Sequence, residues 1–277
     1  MHRLTCCALV LVCACVAVET DATAQDRFRP IVEGLLSAWK TADVVCLGEG
    51  HASRSDADLR LALVSDPRFP SVVDLIVVEF AADSRQGLLD RLVLDGATLS
   101  REQLAPVWRD TRQDVWESPI YEEFLRAVRE VNLKLSRAER VRVIAGDSPA
   151  NRNRGGAIRT IVAQQVLDKK QKALAIYGSI HCVHVGMGFP GELADKYPGR
   201  FWSAYGFFSE EESRRGRRLF ALGERPAYVM IRGTKWQGQS TKGLFPFLSG
   251  LTLGDMLDAI VWYGDTRDSV VPAKPRP

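Results

Sequence analysis

The feature that most constrains the fold is a series of continuous apolar runs of strand length, separated by segments with helical periodicity. The clearest runs cover residues 43–48, 74–80, 140–146 and 172–178, and later ones cover residues 201–208, 227–231 and 258–263. Because apolar and polar residues do not alternate in the first four runs, we expect strands that are covered on both faces. The strand-helix-strand repetition predicts an α/β fold with a mostly parallel central sheet and helices on both faces.

Helical patterns fill the intervals between these runs. Residues 119–135 and 154–168 each place their apolar side chains on one stripe. Ser55 and Asp58 have the spacing of a capping box, which predicts a helix from there to about Val64. Since no low-complexity linker interrupts the pattern, a single domain is the simplest expectation.

The first 24 residues have the composition of a secretory signal peptide. A short basic start precedes an apolar stretch over residues 4–18, and Ala22-Thr23-Ala24 supplies small residues before a cleavage site at Gln25. We therefore expect an exported protein, periplasmic or extracellular, with a domain over residues 25–271 and a frayed tail over residues 272–277. The alternative is a lipoprotein, because Val12-Cys13-Ala14-Cys15 resembles a lipobox and would place a lipid on Cys15. No other stretch has the length of a transmembrane helix.

The charge and cysteine content narrow the function classes. Without residues 1–24, the 37 basic and 34 acidic residues become 36 and 32, a net charge of +4. So small an excess does not indicate a nucleic-acid-binding protein. The two remaining cysteines are Cys46, which precedes a Gly-x-x-His segment, and Cys182, which follows another. Export would permit their oxidation, but we expect different depths in the fold and hence two buried free thiols.

Two Gly-x-x-His segments, residues 48–51 and 178–181, follow two of the predicted strands. Parallel strands present their carboxyl ends at one edge of a sheet, where ligands of open α/β sheets bind. We therefore predict that Glu49, His51, Glu79 and His181 converge in one cleft. His184 would face the same way only if its segment is helical.

Two histidines with carboxylates permit two kinds of chemistry. His51, His181 and Glu79, with His184 as a weaker candidate, are possible ligands of Zn²⁺, Mn²⁺ or Fe²⁺. Without a metal, the same set provides a histidine general base that a glutamate orients.

Several side chains near this edge have alternative interpretations. Arg154 and Arg54 are candidates for binding the substrate, and Arg154 also for stabilising a developing oxyanion. Either arginine could instead form an ion pair with Glu79. Asp147 could equally be the N-cap of the next helix.

The motifs resemble those of a superfamily that joins ChaN-type haem-binding lipoproteins, TraB/Tiki proteins and erythromycin esterases. The resemblance rests on Leu47-Gly48-Glu49-Gly50-His51, Val77-Val78-Glu79, Asn153-Arg154-Gly155-Gly156-Ala157-Ile158, Ala175-Ile176-Tyr177-Gly178-Ser179-Ile180-His181 and Met256-Leu257-Asp258-Ala259-Ile260-Val261. It implies a ChaN/erythromycin esterase-like fold over most of residues 43–264. The segment Gly-Glu-x-His is one residue shorter than the esterase pattern Gly-Glu-x-x-His, which favours the ChaN and Tiki branches.

The resemblance implies two functions. The first is an exported hydrolase of an ester or peptide bond, acting on a small-molecule or peptide substrate with a His/Glu site, either through a divalent metal, as in Tiki proteins, or through a histidine that activates water, as in the esterases. The alternative is a haem- or iron-binding uptake protein of the ChaN type, with the same histidines as ligands.

Overall fold

The central element of the structure, a computed structural model, is a seven-stranded sheet. The structure describes residues 22–111, 113–186, 188–207, 209–246, 248–264 and 270–273. The strands are β1 (Val44–Glu49), β2 (Leu75–Ala82), β3 (Arg142–Asp147), β4 (Ala173–Gly178), β5 (Phe201–Gly206), β6 (Ala227–Met230) and β7 (Ala259–Trp262). Their order is β3-β2-β4-β1-β5-β7-β6, and only the β6–β7 pairing is antiparallel. The predicted α/β fold with a mostly parallel sheet is confirmed.

Helices cover both faces of this sheet. They are α1 (Ala22–Ala38), α2 (Arg54–Val64), α3 (Phe69–Val72), α4 (Gln86–Val93), α5 (Arg101–Leu104), α6 (Pro106–Arg109), α7 (Pro119–Asn132), α8 (Arg154–Val162), α9 (Phe189–Leu193), α10 (Glu210–Phe220) and α11 (Leu253–Met256). Along β1, Val45 and Leu47 belong to the core that α1, α2 and α7 complete, whereas Val44 and Cys46 belong to the core beneath α8. Successive strand residues thus bury opposite faces, as the unbroken apolar run requires.

The start of α2 corrects one prediction. The N-cap is Ser53, whose hydroxyl accepts a hydrogen bond from the Asp56 amide at 3.1 Å, so the capping box predicted at Ser55 is wrong. An N-cap residue has a non-helical backbone. Ser53 has an extended backbone, whereas Ser55 is already within the helix, so Ser53 is the residue that caps α2. Asp58 accepts from Arg54 instead.

The two cysteines form a disulfide, which corrects the prediction of free thiols. Cys46 and Cys182 are bonded, with their α-carbons 5.3 Å apart. A 3₁₀ turn over Ser179–His181 follows β4 directly, and the chain then places Cys182 in the buried core that also contains Cys46. Sequence position alone suggested different depths because it does not show this reversal.

The membrane-related predictions concern mainly the N-terminus. Among the residues that the structure describes, no helix combines the length and apolarity needed to cross a bilayer. Residues 1–21, including Cys15, lie outside the described residues, and residues 22–24 begin α1. Residues 274–277 of the predicted tail also lie outside them.

Candidate functional site

Three adjacent strands deliver the main side chains of the site to one edge of the sheet. β2, β4 and β1 are neighbours and parallel, and they carry Glu79, Gly178 and Glu49 at or near their carboxyl ends. His51 lies two residues beyond β1, and His181 ends the turn that follows β4. The structure therefore brings Glu49, His51, Glu79 and His181 to the same edge.

The centre of the site is a pair formed by His51 and Glu49. His51 Nδ1 lies 3.0 Å from Glu49 Oε1. Glu49 is buried, whereas the His51 side chain is 38% exposed. The ring of His51 packs edge-on against Trp116, with a centroid separation of 4.6 Å. One ring nitrogen is thus held by a buried carboxylate while the imidazole remains accessible to a ligand.

Glu79 forms the second side of the site. Its Oε2 accepts a hydrogen bond from the Gly178 amide at 2.8 Å, and its Oε1 lies 3.8 Å from His181 Nε2. A β-carbon at Gly178 would lie 3.2 Å from His51 Nε2 and 3.5 Å from Glu79 Oε2. The sum of these distances, about 6.7 Å, is an upper limit on the separation of the two atoms. His51 Nε2 and Glu79 Oε2 therefore both lie within 3.5 Å of one point beside Gly178.

The two Gly-x-x-His segments contact each other directly. A β-carbon on Gly48 would lie 2.9 Å from Ser179 Cα, and the Ser179 hydroxyl donates to the Glu49 carbonyl at 3.2 Å. Both first glycines, Gly48 and Gly178, therefore stand where a side chain would push the segments apart. Close approach of the backbone explains this part of the motif.

The environment of His51 sets its protonation. Burial lowers its pKa below the ordinary value of 6.5, and the negative charges of Glu79 and Asp56 oppose this effect. Burial is the largest of these causes. It lowers the pKa because it disfavours the charged imidazolium. His51 is therefore neutral at neutral pH and available to accept a proton.

Two further residues hold Glu49, and sequence reasoning missed both. Arg60 of α2 forms a buried ion pair with Glu49, and the Tyr121 hydroxyl of α7 lies 3.3 Å from Glu49 Oε1. Arg60 is 1% exposed. The available signal was its position beside Leu59 in an apolar helix, where an arginine needs a partner. Tyr121 gave no such signal, because tyrosine is ordinary on an apolar helical stripe.

The chain that leads out of His51 is held in an unusual conformation. Ala52 has a φ of +60°, in the left-handed region that non-glycine residues rarely adopt. Its amide donates to the Tyr121 hydroxyl at 2.8 Å, and its carbonyl accepts from the Val271 amide at 2.8 Å. The Gly50 amide donates to Asp56 at 2.8 Å. These bonds on both sides of His51 hold its backbone in place.

The arginines do not pair with Glu79. Arg54 binds Asp58 at 2.8 Å and Glu123 at 3.1 Å. Arg154 binds the buried carboxylate of Asp147 at 2.9 Å.

Asp147, which ends β3, has a different role from the N-cap considered above. Burial raises its pKa, and Arg154 opposes that shift. Asn153 caps α8 by accepting from the Gly156 amide at 2.9 Å. Asp147 therefore anchors Arg154 near the site.

His184 lies apart from the other histidines in its interactions. Its Nε2 is 2.8 Å from Asp258 Oδ2, and the same oxygen accepts from the Ser203 amide at 2.7 Å. Arg232 also pairs with Asp258, at 2.5 Å. This group ties the chain after β4 to the start of β7 and does not extend the His51 site.

The donor set does not fit a metal bound by three protein ligands. Within the described residues, no group of three or more His, Cys, Asp or Glu side chains is placed to hold a metal ion. Glu49 already engages His51 Nδ1, and the Gly178 amide already engages Glu79 Oε2.

Two surface depressions lie at the opposite edge of the sheet, where the strands begin. Their volumes are about 390 and 360 Å³, and Asp74 lines both. Their lining residues do not include the histidines, so these depressions are separate from the candidate site.

Comparison with solved structures shows the fold. A protein from Bacillus cereus has a TM-score of 0.62 and 13% identity, over 91% of this chain and 94% of that chain. ChaN of Campylobacter jejuni, described with cofacial haem binding, has a TM-score of 0.42 and 16% identity, over 66% and 87% of the two chains. The type III effector HopBA1 has a TM-score of 0.40 and 15% identity, over 64% and 82%.

These similarities show the architecture of the chain and not its function. The match to the Bacillus cereus protein shows a shared fold and is consistent with the ChaN-like fold that the motifs predict. The two lower scores carry no argument about function. No protein-family model and no curated protein sequence matches the chain, and neither TraB/Tiki proteins nor erythromycin esterases are shown.

Proposed function

We propose that the protein is a hydrolase of ester or peptide bonds that uses His51 as a general base. The observation that carries the proposal is the His51–Glu49 contact of 3.0 Å, in which a buried carboxylate holds Nδ1 of a neutral, partly exposed imidazole. A base oriented by a carboxylate is the standard arrangement for activating water or a hydroxyl group. No other described histidine has both a buried carboxylate at hydrogen-bond distance and a place beside Glu79.

The proposed reaction balances without a cofactor. His51 Nε2 removes a proton from a water molecule while the water oxygen attacks the carbonyl carbon of the substrate. The tetrahedral oxyanion collapses, the bond to the leaving group breaks, and the His51 imidazolium returns the proton to the departing oxygen or nitrogen. The products are a carboxylic acid and an alcohol or an amine, and Glu49 stays ionised and stabilises the transient imidazolium.

The remaining side chains take roles that follow from their positions. His181, 26% exposed and 3.8 Å from Glu79, is placed to donate to the oxyanion or to the leaving group. Glu79 holds the Gly178 amide and favours the charged form of His51. Arg154 and Arg54, each with exposed surface, are proposed to bind a negatively charged part of the substrate.

The test is hydrolysis of a panel of aryl esters and short peptides by the purified protein. We expect His51→Asn to lower kcat/KM by about 10²- to 10⁴-fold, because general-base catalysis contributes that much. For the wild type, kcat/KM should rise with pH through the pKa of His51, below 6.5, and be level at neutral pH. His184→Gln serves as the matched comparison, with an expected loss below tenfold, since Asp258 and not the site holds His184.

Two outcomes would contradict this function. Activity that EDTA abolishes and Zn²⁺ restores would place a metal in the mechanism. No hydrolysis of any substrate, together with a Soret band on haem addition that disappears in His51→Ala, would favour the ChaN-type alternative of a haem-binding uptake protein.

A further inference from the structure

Tyr121 lies beneath His51 and connects the two parts of the chain that determine its orientation. Its hydroxyl is 2.8 Å from the Ala52 amide nitrogen and 3.3 Å from Glu49 Oε1. We propose that Tyr121 is a positioning residue for His51, which fixes the tautomer and the pose of the ring through Glu49 and the Ala52 backbone. The inference deepens the proposed function and rests on it for its catalytic consequence.

The direction of each hydrogen bond follows from the donor inventory. The Ala52 N–H can only donate, so the Tyr121 oxygen accepts from it. The single proton of the hydroxyl is then directed to Glu49. Arg60, which has donors only, binds the other carboxylate oxygen. Glu49 thus faces the Tyr121 hydroxyl at one oxygen and a buried guanidinium at the other, which favours its ionised form.

An ionised Glu49 determines the tautomer of His51. A carboxylate without a proton can only accept, so His51 Nδ1 carries the hydrogen of the 3.0 Å contact. The lone pair is then on Nε2, the ring nitrogen that faces Gly178 and Glu79. The general base of the proposed reaction needs this tautomer, because only a bare Nε2 can take a proton from water.

The pose of His51 depends on the same hydroxyl. Ala52 occupies the left-handed region with φ +60°, which costs an L-residue about 1 kcal/mol or more and persists only where other contacts hold it. The Tyr121 hydroxyl is the acceptor for the amide of that residue. It therefore holds the backbone immediately after His51.

Aromatic packing makes Tyr121 a rigid support. Its ring lies 4.7 Å from Phe80 and 4.9 Å from Trp116, and Trp116 in turn packs on His51 at 4.6 Å. Tyr121 is fully buried within α7. Burial raises its pKa above the ordinary value of 10, so the hydroxyl keeps its proton and remains a donor. Contacts thus hold both the ring and the hydroxyl of Tyr121.

The experiment is nitrogen NMR of protein labelled at histidine. The mature chain has three histidines, four less His2, and His→Gln variants assign them. We expect neutral His51 to carry its proton on Nδ1. In Tyr121→Phe, Glu49 loses a donor and becomes a stronger base, so the His51 titration should move to higher pH. The acid limb of kcat/KM should follow, with kcat reduced about tenfold and KM within a factor of three.

Tyr205→Phe is the matched control. Tyr205 is also a buried tyrosine whose hydroxyl lies near a buried glutamate, Glu212, at 3.4 Å, but it belongs to a different core. We expect this variant to leave the His51 titration and the pH profile unchanged.

The outcomes separate this inference from the proposed function. A neutral His51 protonated on Nε2, or a Tyr121→Phe titration that coincides with the wild type, would overturn the role of Tyr121 even in an active hydrolase. The expected spectra in a protein without hydrolytic activity would keep the role of Tyr121 and reject the hydrolase.

Discussion

At the scale of single residues, the site depends on the lack of a side chain at Gly178. Gly178 begins the second Gly-x-x-His segment, and its amide holds Glu79 while the His51 ring lies close to where its β-carbon would be. A β-carbon there would be 3.0 Å from His51 Cε1, closer than most real contacts of that kind. The glycine therefore determines how closely the ring approaches the strand end.

This argument predicts the effect of Gly178→Ala. The methyl group should displace the His51 ring by a few tenths of an ångström, and activity should fall by roughly tenfold to a hundredfold, because reacting groups tolerate little misplacement. The measurement is kcat/KM together with the His51 NMR signals. Gly87→Ala is the control: no atom lies within 4 Å of its added β-carbon. In α4 it should stabilise the fold by about 0.5–1 kcal/mol without changing activity. Equal activity of the two variants would refute the close-approach argument.

At the scale of elements, the segment that follows β4 carries His181 and is attached to β1, to α11 and to the residue before β7. The Cys46–Cys182 disulfide ties it to β1. The His184 amide donates to the Met256 carbonyl at 2.8 Å, and the His184 ring binds Asp258. A 3₁₀ turn with few bonds of its own is thus held in place by covalent and polar links to β1, α11 and β7.

We expect the double variant Cys46→Ala/Cys182→Ala to be less stable by about 2–5 kcal/mol, because the bond closes a long loop, with a sequence separation of 136. Urea unfolding, followed with and without reductant, measures this. Reductant should lower the midpoint of the wild type and leave that of the double variant unchanged. A wild-type midpoint indifferent to reductant under conditions that reduce the unfolded chain would contradict the disulfide.

At the scale of the whole molecule, the disulfide supports the proposal that the protein is exported. Stable disulfides are typical of oxidising compartments outside the cytosol. The apolar N-terminal composition independently predicts a signal peptide over residues 1–24. The two arguments use different residues, since Cys46 and Cys182 lie within the folded domain.

Export predicts the chemical form of the protein recovered from cells. Intact-mass spectrometry should show a chain that begins at Gln25 and whose two cysteines resist alkylation until they are reduced. A diacylated Cys15 at the N-terminus would instead support the lipoprotein alternative. A chain that retains Met1, with thiols that alkylate without reduction after unfolding, would count against export altogether.

Much of the architecture was predictable because it depends on local pattern. The runs of β1 to β4 are continuously apolar because both faces of these strands are buried, and this pattern can be recognised in the sequence. Parallel pairing then requires the carboxyl ends of these strands to lie at one edge. This rule alone led to the expectation that Glu49, His51, Glu79 and His181 lie together.

What only the tertiary structure decided is how these groups are held. Arg60 reaches Glu49 from α2, the next helix along the chain, and Tyr121 reaches it from α7, 72 residues away. Cys182 reaches Cys46 through a reversal of the chain. Such contacts depend on the relative placement of packed elements, which local patterns of polarity do not specify. The sequence by itself determined which residues lie at the carboxyl edge of the sheet, and the packing of α2 and α7 determined which groups hold Glu49 beside His51.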